Sequence, residues 1–531
     1  MVNTSRGPVV GFTLFQNSDQ RQLYYGSGNV FLGIPYAEAP TGAHRFKAPI
    51  AFKTFPNNPQ NATEAPPQCI QYSPVVATSE DCLFLNIYTP INAKNRYLPV
   101  IVFIHGGDFT TGPGNIHDPR GIVTNLVSRD VVVVTIQYRL GALGFFTGGD
   151  ISPNRGILDI IEALKFVQQE IVNFGGNPSR VTLFGEGSGA CAVSVLSMAP
   201  IAKGLFNQAI LQSGSAFRCV NGVYDARNVS QSFIQQVAPS CGLDPNSVMG
   251  SDFSEFYKCL MGQDPNSWLN FDKELLLGWQ ITFDNNLLSM TSATAYSSVL
   301  DALKNRTIIP TMYGTCQDEF ALKIAQLFKN GLAIKEFDQS YAKSFVKAEL
   351  PGYSDDLTDL TARILLSPFA PYNMTDTLGW VKAVTSAVSA LFYTAPTALE
   401  AQLYAQDNRN VYLYEMSYAT NVGRSFDFPR WQPVQQTCAL PFIFASGSAI
   451  SNAQYLGRFT TDDWKMVKFF GSIWADFARN GRPSDYWAPV SSTGPLAYLN
   501  IGQKQQMMAP YRLDDSILVN DIVKQLLSPV K

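Results

Sequence analysis

The sequence contains little charge and almost no histidine. Lys and Arg number 39, and Asp and Glu 42, among 531 residues, so that 15% of the chain is charged, against about 25% in ordinary globular proteins. The formal net charge is −3 with His neutral, which excludes a protein that binds nucleic acid through bulk positive charge. A surface with so few charges repels its own copies weakly, so we expect a homo-oligomer or a higher self-assembly.

Long apolar runs are also missing. No stretch reaches about 18 consecutive apolar residues, so the sequence predicts no transmembrane segment. Met1–Gly11 lacks the apolar stretch of a signal peptide. We expect a mature chain with a start Met in preference to a cytosolic protein. Because 46% of the residues are hydrophobic, the chain can bury a substantial core and is not largely disordered.

The sequence lacks the ligand patterns of a metal site. Its eight Cys form no C-x-x-C pair, and the three His have no spacing that joins them to Cys as a ligand set. These His are His44, His105 and His117. We therefore expect no zinc site and no other metal, and no motif in the sequence indicates a cofactor.

Acceptor sequons for N-glycosylation recur along the chain. Each is an Asn followed two residues later by Ser or Thr, and they lie at Asn3, Asn61, Asn228, Asn305 and Asn373. Together with the even number of Cys, they favour the secretory pathway, in a vesicle lumen or outside the cell.

Short β-branched runs alternate with a helical pattern. Leu98–His105 and Val131–Gln137 are typical of buried parallel strands, and Arg180–Phe184 reads as a third strand. Between the last two, Gly156–Phe174 has apolar residues at helical spacing and is followed by two glycines. Strand, helix and strand in this order predict an α/β fold with a large, mostly parallel central sheet and helices on both faces.

Further elements are predicted downstream. The strands are Gln208–Gln212 and Val411–Met416, and the helices are Asp318–Phe328, Thr377–Phe392, Trp464–Arg479 and Asp515–Leu527. We find no internal repeat and no low-complexity linker. The sequence therefore predicts a single domain over residues 1–531.

A glycine-rich corner follows the third strand, where the sequence reads G-E-G-S-G from Gly185. A nucleophile elbow has the form G-x-S-x-G at such a strand-to-helix turn. If the flanking glycines set the register, the central residue is Gly187, which has no side chain, and Ser188 lies one place later on the helix. Making Ser188 central instead puts Glu186 where the first glycine belongs. A tight turn without any catalytic role is the remaining interpretation.

Eight motifs occur in one order along nearly the whole chain. They are Val9–Phe12 (VVGF), Gly33–Phe46 (GIPYAEAPTGAHRF), Ser79–Tyr88 (SEDCLFLNIY), Phe103–Phe109 (FIHGGDF), Tyr138–Phe145 (YRLGALGF), Phe174–Arg180 (FGGNPSR), Gln212–Ala216 (QSGSA) and Trp474–Pro483 (WADFARNGRP). This series resembles the carboxylesterase/cholinesterase family of α/β-hydrolases. The resemblance implies the α/β-hydrolase fold, but fold alone does not determine function.

The resemblance also implies where the family's Ser, Glu and His would lie. Glu319 matches the acid, although the glycine that follows the acid in the family is Phe320 here. The nucleophile position is Gly187, and the His position is Gln436. No His of this chain lies beyond residue 117, whereas the catalytic His of this fold follows the acid.

The oxyanion loop departs from the family pattern as well. The family's His-Gly-Gly-Gly-Phe reads His-Gly-Gly-Asp-Phe from His105, so the degenerate oxyanion positions are Gly107, Asp108 and Ser188. The Asp108 carboxylate is expected to oppose a developing oxyanion nearby. His105 is expected to pack and to form hydrogen bonds, without a catalytic role.

Acyl transfer needs a nucleophile that a base activates. Gly187 supplies no nucleophile, and the amide of Gln436 cannot accept and return a proton near neutral pH. Loss of one triad member costs about four to six orders of magnitude in rate. The sequence therefore predicts a pseudoenzyme with no catalytic residues, and the alternative is a residual carboxylic-ester hydrolase that uses Ser188.

Two disulfides and two ion pairs are implied by the resemblance. The disulfides join Cys69 to Cys82 and Cys241 to Cys259, and the ion pairs join Arg45 to Glu80 and Arg139 to Asp159. In a chain with so few charges, each ion pair is expected to be structural. Breaking one partner of a buried pair would be costly.

The other cysteines have less certain partners. Cys316 and Cys438 lie within the former acid and base segments, and they could form a disulfide across the site. Cys191 is expected to be a buried free thiol. Cys219 has no obvious partner and could form an intermolecular bond.

The resemblance leaves several functions open. Non-catalytic members of this family act in adhesion, in secretion, or as storage and assembly proteins. The sequence predicts a structural or storage protein of the secretory pathway that self-associates through helices Thr377–Phe392 and Asp515–Leu527. The alternatives are an extracellular adhesion or ligand- or partner-binding module, and the residual hydrolase.

Overall fold

The computed structural model describes residues 1–73, 76–112, 118–220, 226–250, 252–275, 278–284, 287–292, 295–350 and 353–527. Its strands are β1 (Val2–Thr4), β2 (Gly7–Val10), β3 (Phe12–Phe15), β4 (Ser27–Pro35), β5 (Gln60–Asn61), β6 (Gln68–Cys69), β7 (Thr78–Ser79), β8 (Phe84–Pro90), β9 (Leu98–Ile104), β10 (Val132–Ile136), β11 (Gly176–Glu186), β12 (Gln208–Gln212), β13 (Thr311–Cys316), β14 (Val411–Met416), β15 (Tyr498–Ile501) and β16 (Gln505–Met508).

Helices connect and flank these strands. In the first half of the chain they are α1 (Pro119–Asn125), α2 (Gly141–Phe145), α3 (Arg155–Glu170), α4 (Ser188–Met198), α5 (Ala216–Cys219), α6 (Ala226–Val237), α7 (Pro245–Gly250), α8 (Phe253–Gly262) and α9 (Leu269–Glu274). In the second half they are α10 (Ala295–Lys304), α11 (Ala321–Lys329), α12 (Gln339–Ala348), α13 (Asp355–Leu366), α14 (Thr377–Ser389), α15 (Ala395–Asp407), α16 (Leu440–Ile443), α17 (Gly447–Tyr455), α18 (Thr461–Asn480), α19 (Leu513–Ser516) and α20 (Lys524–Leu527).

Eleven of the described strands form one sheet in the order β16-β15-β14-β13-β12-β11-β9-β10-β8-β4-β3. The pairs from β10 to β15 across this sheet are parallel, and the flanking strands pair antiparallel. Helices surround this sheet, so the predicted α/β-hydrolase architecture is confirmed.

The central strands are buried on both faces. In β9, Val100, Val102 and Ile104 join one apolar cluster, whereas Ile101 and Phe103 join another. Successive side chains of a strand point to opposite faces of the sheet, so this alternation places one core on each side. This is why the predicted strands read as continuous apolar runs without an alternation of polar residues.

A third apolar cluster lies among the helices of the second half of the chain. It includes Phe320, Ile324, Trp380, Val384 and Val519. It therefore joins α11 and α14 to the segment that precedes α20.

The predicted elements agree with the structure at their centres, and most of them differ at their ends. The strands Gln208–Gln212 and Val411–Met416 have the predicted bounds. The helix predicted over Thr377–Phe392 is α-helical only to Ser389 and continues as the π-helix Ala390–Thr394. The wider π-turn precedes Pro396, whose ring would clash with the carbonyl four residues earlier in a regular α-helix.

The helix predicted over Asp515–Leu527 is similarly interrupted. The structure has α19, then the π-helix Ile517–Val523, then α20. Within the described residues, no helix combines the length and the apolar character needed to span a membrane.

The sheet topology brings the candidate site residues to one edge. Parallel strands present their carboxyl ends at the same edge, and ligand sites of open α/β sheets lie there. His105 follows β9, Gly187 follows β11, Ser213 follows β12 and Glu319 follows β13. The sheet reverses its strand order at β9, because β10 lies on one side of β9 and β11 on the other.

Candidate active site

The residue of the glycine corner with a positive φ is Gly187. It lies between β11 and α4 with φ 56° and ψ −122°, and its backbone N–H donates to the Gln212 carbonyl at 2.9 Å. The flanking glycines are required for packing, because a Cβ on Gly189 would lie 2.2 Å from the Ile104 carbonyl oxygen. The turn thus has the geometry of a nucleophile elbow, with glycine at its centre.

The amide of Gln436 occupies the space in front of Gly187. A Cβ built on Gly187 would lie 2.7 Å from Gln436 Nε2. That nitrogen donates to Glu186 Oε1 at 3.0 Å, and the Tyr393 hydroxyl donates to Gln436 Oε1 at 3.3 Å. The Gln436 backbone N–H lies 3.3 Å from the Glu319 carbonyl oxygen, to which it donates. Gln436 therefore bridges the elbow, the acid segment and the π-helix that carries Tyr393.

Two buried carboxyl groups flank this amide. Burial raises the pKa of Glu319 to about 7, although its Oε1 accepts from the Cys316 backbone N–H at 2.7 Å. Burial, and then the charge of Glu319, raise the pKa of Glu186 to about 8. Glu186 therefore holds a proton at neutral pH. The sequence analysis assigned no role to Glu186, although an acidic residue inside a glycine-rich turn is a visible signal.

The Ser188 hydroxyl is buried and hydrogen-bonded to the loop after β9. The side chain is on the first turn of α4, and only 1% of the residue is exposed. Its Oγ accepts a hydrogen bond from the Phe109 backbone N–H at 3.2 Å. A serine nucleophile needs a base in contact with its hydroxyl, and this contact instead ties α4 to the loop after β9.

The histidines contribute no base to this site in the described part of the chain. Burial lowers the pKa of His105 to about 4, so the ring stays neutral. Its Nδ1 lies 2.9 Å from the Gly106 carbonyl oxygen, and the ring stacks on Tyr138 with centroids 4.4 Å apart. His44 is exposed, and His117 lies outside the described residues.

Asp108 carries two cationic partners that the sequence analysis missed. Its Oδ1 accepts from Arg218 Nη2 at 2.7 Å, and its Oδ2 lies 2.7 Å from Lys323 Nζ. Burial favours the neutral acid, but the charges of Lys323 and Arg218 hold the pKa of Asp108 below its usual value. The Asp108 carboxylate was expected to oppose a developing oxyanion. Because its charge is paired with two cations, this effect is offset. Arg218 also packs over the Tyr393 ring, 4.5 Å from its centroid.

The fold and these positions match a known family. A family model described as the carboxylesterase family matches residues 1–516. The chain belongs to the carboxylesterase family. This confirms the resemblance, and the match covers every residue of the candidate site.

Similar proteins are named as hydrolases. Carboxylesterase 1D of Mus musculus is 29% identical over 97% of this chain and 91% of its own length. The fatty acyl-CoA hydrolase precursor, medium chain, of Anas platyrhynchos is 28% identical over 91% of this chain and 85% of its own length. Cocaine esterase of Homo sapiens is 28% identical over 86% of this chain and 80% of its own length.

These relatives overturn one prediction. The sequence analysis predicted a non-catalytic structural or storage protein, with adhesion or partner binding as the alternative. That prediction is wrong, because the similar proteins are named carboxylesterases and hydrolases. It rested on the weak charge of the surface and on the non-catalytic members of the family, and neither feature identifies a function.

Three disulfides link the described cysteines of this carboxylesterase-family protein. Cys69 is bonded to Cys82 and Cys241 to Cys259, as the resemblance implied. The third joins Cys191 to Cys219. The expectation of a free Cys191 and an unpartnered Cys219 was therefore wrong. The two residues are brought together because α4 and α5 begin at the carboxyl ends of neighbouring strands β11 and β12.

Cys316 and Cys438 are buried free thiols. Their sulfur atoms lie 3.1 Å apart, which is longer than the S–S bond of about 2.05 Å. The disulfide suggested for this pair is therefore absent from the structure, although the two sulfurs are neighbours.

Both predicted ion pairs are present. Arg45 contacts Glu80 at 2.5 Å and also donates to the Leu260 carbonyl at 2.8 Å. Arg139 contacts Asp159 at 2.7 Å, with 3% and 0% of the two side chains exposed. Both ion pairs are structural contacts of the fold and lie outside the Gly187 site. In the part of the chain that the structure describes, no group of His, Cys, Asp and Glu has the arrangement of a metal site.

The asparagines of the five sequons are exposed; they are Asn3, Asn61, Asn228, Asn305 and Asn373. Exposure is required for a glycan, because the added sugar is bulky. The three disulfides indicate an oxidising compartment.

Proposed function

We propose that this carboxylesterase-family protein does not hydrolyse esters by the serine–histidine mechanism of the fold, and that its active-site region is that of a pseudoenzyme. The observation that carries the proposal is the contact between Gly187 and Gln436. Gly187 has the backbone conformation of an elbow, and Gln436 Nε2 lies 2.7 Å from the position of its missing Cβ. Neither a hydroxyl nor an imidazole is available at these two positions.

The remaining groups do not replace the missing ones. Ser188 Oγ is buried and bonded to the Phe109 backbone N–H. Glu186 is protonated at neutral pH, because its pKa is raised to about 8. A protonated acid cannot remove a proton from a nucleophile. Glu319 has a raised pKa and no imidazole to orient.

The relatives supply the substrate class for the test. Their names refer to carboxylic esters, fatty acyl-CoA, acylcarnitine and cocaine. Fatty acyl-CoA is a thioester and the others are oxygen esters. All of them react by nucleophilic attack on the acyl carbon. We expect this chain to leave such acyl bonds intact at the Gly187 site.

The location and the assembly of the protein are part of the same proposal. Disulfides, exposed sequons and a relative named as a precursor support a vesicle lumen or the extracellular space. The low fraction of charged residues supports homo-oligomerisation, for which exposed Leu513, Ile517 and Ile522 offer apolar contacts. Sedimentation over a range of concentrations tests this assembly, and a monomer throughout would contradict it.

The test of the proposed function compares p-nitrophenyl acetate hydrolysis by three proteins. The native chain and the matched single variant Gly187→Ser are expected to match the buffer rate. The double variant Gly187→Ser with Gln436→His is expected to exceed it, because the pair restores a nucleophile and a base next to Glu319.

Turnover by the native chain would contradict the proposal. If that turnover fell in Ser188→Ala, the serine on α4 would be the nucleophile. If it fell instead in Glu186→Gln, the carboxylate next to the elbow would be the catalytic group.

A further inference from the structure

Two neighbouring thiols lie in the segments that carry Glu319 and Gln436. Cys316 is the last residue of β13, and Glu319 Oε1 accepts from its backbone N–H. Cys438 lies two residues after Gln436. Their sulfur atoms are 3.1 Å apart although 122 residues separate them in the sequence. A bond between them would therefore join the acid segment directly to the segment that places Gln436 against Gly187.

The other cysteines of the chain favour the formation of a disulfide between Cys316 and Cys438. The other six cysteines form the three disulfides already described, so the chain folds where thiols are oxidised. The two sulfurs need to approach by only about 1 Å to reach the bond length of about 2.05 Å.

A small surface pocket borders one of the two thiols. It has room for about one water molecule, and Tyr418, Val434, Gln435 and Cys438 are among its lining residues. Cys316 does not line it and is only 1% exposed. The hydrogen bond to Cys438, and then burial, raise the pKa of the Cys316 thiol well above its usual value. Because the thiolate is the nucleophile, Cys316 reacts poorly, and Cys438, which lines the pocket, is the more accessible thiol of the pair.

We propose that Cys316 and Cys438 are a redox dithiol, which a low-molecular-weight disulfide that reaches Cys438 from the side of this pocket converts into a fourth disulfide. The Cys438 thiolate attacks one sulfur of the small disulfide, and the small disulfide's S–S bond breaks to release one thiolate. Cys316 then loses its proton and attacks the mixed disulfide at Cys438. The Cys316–Cys438 bond forms, the second small thiolate leaves, and the two electrons end on the two released thiols.

This inference goes beyond the proposed function, because ester turnover plays no part in it. The bond would fix the Gln436 segment to β13 and so hold the amide in front of Gly187. The oxidised protein is therefore expected to melt at a temperature a few degrees higher than the reduced protein, since the bond closes a long loop in the unfolded chain.

The experiment uses the native full chain and bis(2-hydroxyethyl) disulfide as the probe. The protein is first treated with a mild reductant, and peptide mapping verifies that the three structural disulfides persist. After the probe is added, non-reducing peptide mapping is expected to find a peptide in which Cys316 and Cys438 are linked. Recovery of both residues as free thiols after unfolding and alkylation would overturn the proposal, as would a lasting probe adduct on Cys438.

Two variants test the order of the steps. In Cys316→Ser the probe is expected to remain on Cys438 as a mixed disulfide, because the resolving thiol is missing. In Cys438→Ser the buried Cys316 is expected to stay unmodified. Modification of Cys316 in that variant would contradict the assigned order, and the mapping of the native chain remains decisive if a variant fails to fold.

Discussion

At the residue scale, the backbone conformation at position 187 favours glycine. With φ 56° and ψ −122°, it lies in a region that costs other residues about 1–3 kcal/mol. A serine enzyme tolerates that strain because it exposes the nucleophile. Here glycine adopts the conformation without that strain, and Gln436 fills the freed volume.

A methyl group at this position tests the contact. Gly187→Ala is expected to destabilise the protein by about 2–4 kcal/mol, because it adds backbone strain and a 2.7 Å contact with Gln436 Nε2. In a Gln436→Ala background the cost should fall by about half. Gly242→Ala is the matched control, since Gly242 also has positive φ, 72°, but no atom within 4 Å of its Cβ position. Urea unfolding measures all the variants, and an equal cost in both backgrounds would contradict the contact.

Glu186 makes the stability depend on pH. Its pKa is about 8 in the folded protein against an ordinary value of 4.5, so the folded state keeps a proton that the unfolded state loses between these values. The contribution of Glu186 to the free energy of unfolding is therefore fully present below pH 4.5. It is lost as the pH rises towards 8. Glu186→Gln removes this loss, while its amide oxygen can still accept from Gln436.

Thermal melts at pH 5 and pH 8 measure this effect. The native protein is expected to lose more stability over this range than Glu186→Gln, by on the order of 1 kcal/mol per pH unit. The exposed carboxylate variant Glu255→Gln is the control and should follow the native profile. Parallel profiles for the native protein and Glu186→Gln would show that Glu186 is ionised when buried.

At the scale of elements, the loop after β9 is held by charges from two distant segments. Asp108 has φ 57°, and its carboxylate contacts Arg218 on α5 and Lys323 on α11. The loop that matches the family's oxyanion loop is thus tied to α5 and α11.

Removing the charge of Asp108 tests this account. Asp108→Asn is expected to destabilise the protein by about 3 kcal/mol, because it leaves the buried Arg218 guanidinium, 4% exposed, without its counter-charge. The surface pair of Arg482 with Asp485, 60% and 87% exposed, supplies the control. Asp485→Asn should change the free energy of unfolding by less than about 0.5 kcal/mol. Similar small effects from both variants would mean that the Asp108 pair is solvated.

The sequence identified the strands of the central sheet but not the contacts between distant segments. Continuous β-branched runs mark β9 and β10, because strands buried on both faces need apolar side chains throughout. The positions Gly187, Glu319 and Gln436 followed from family motifs. Asp108 and Arg218, however, are 110 residues apart, and no local pattern reports such a contact. The Cys191–Cys219 disulfide was missed for the same reason.

At the scale of the whole molecule, fold and chemistry are separable. Three apolar clusters stabilise the sheet and the surrounding helices, and none of them requires a catalytic group. A fold of this kind would therefore keep its framework if a nucleophile and a base were replaced. The framework accounts for the family match over residues 1–516, whereas activity depends on a few side chains at one sheet edge.

The Cys191–Cys219 disulfide contributes to the stability of this framework. It closes a separation of 28 residues, for which the chain-entropy model gives about 3–4 kcal/mol. Replacing both residues by Ala is expected to cost that much in the free energy of unfolding. The matched control replaces Cys316 and Cys438 by Ala in protein kept reduced, which removes two buried sulfurs without removing a bond. Equal losses in the two double variants would assign the effect to packing alone.

Covalent labelling by a fluorophosphonate tests the central claim most directly, because this reagent reports an activated serine whether or not turnover follows. The native chain is expected to keep its unlabelled intact mass, whereas Gly187→Ser with Gln436→His takes up one equivalent at residue 187. One equivalent bound to the native chain, with the label mapped to Ser188, would contradict the account.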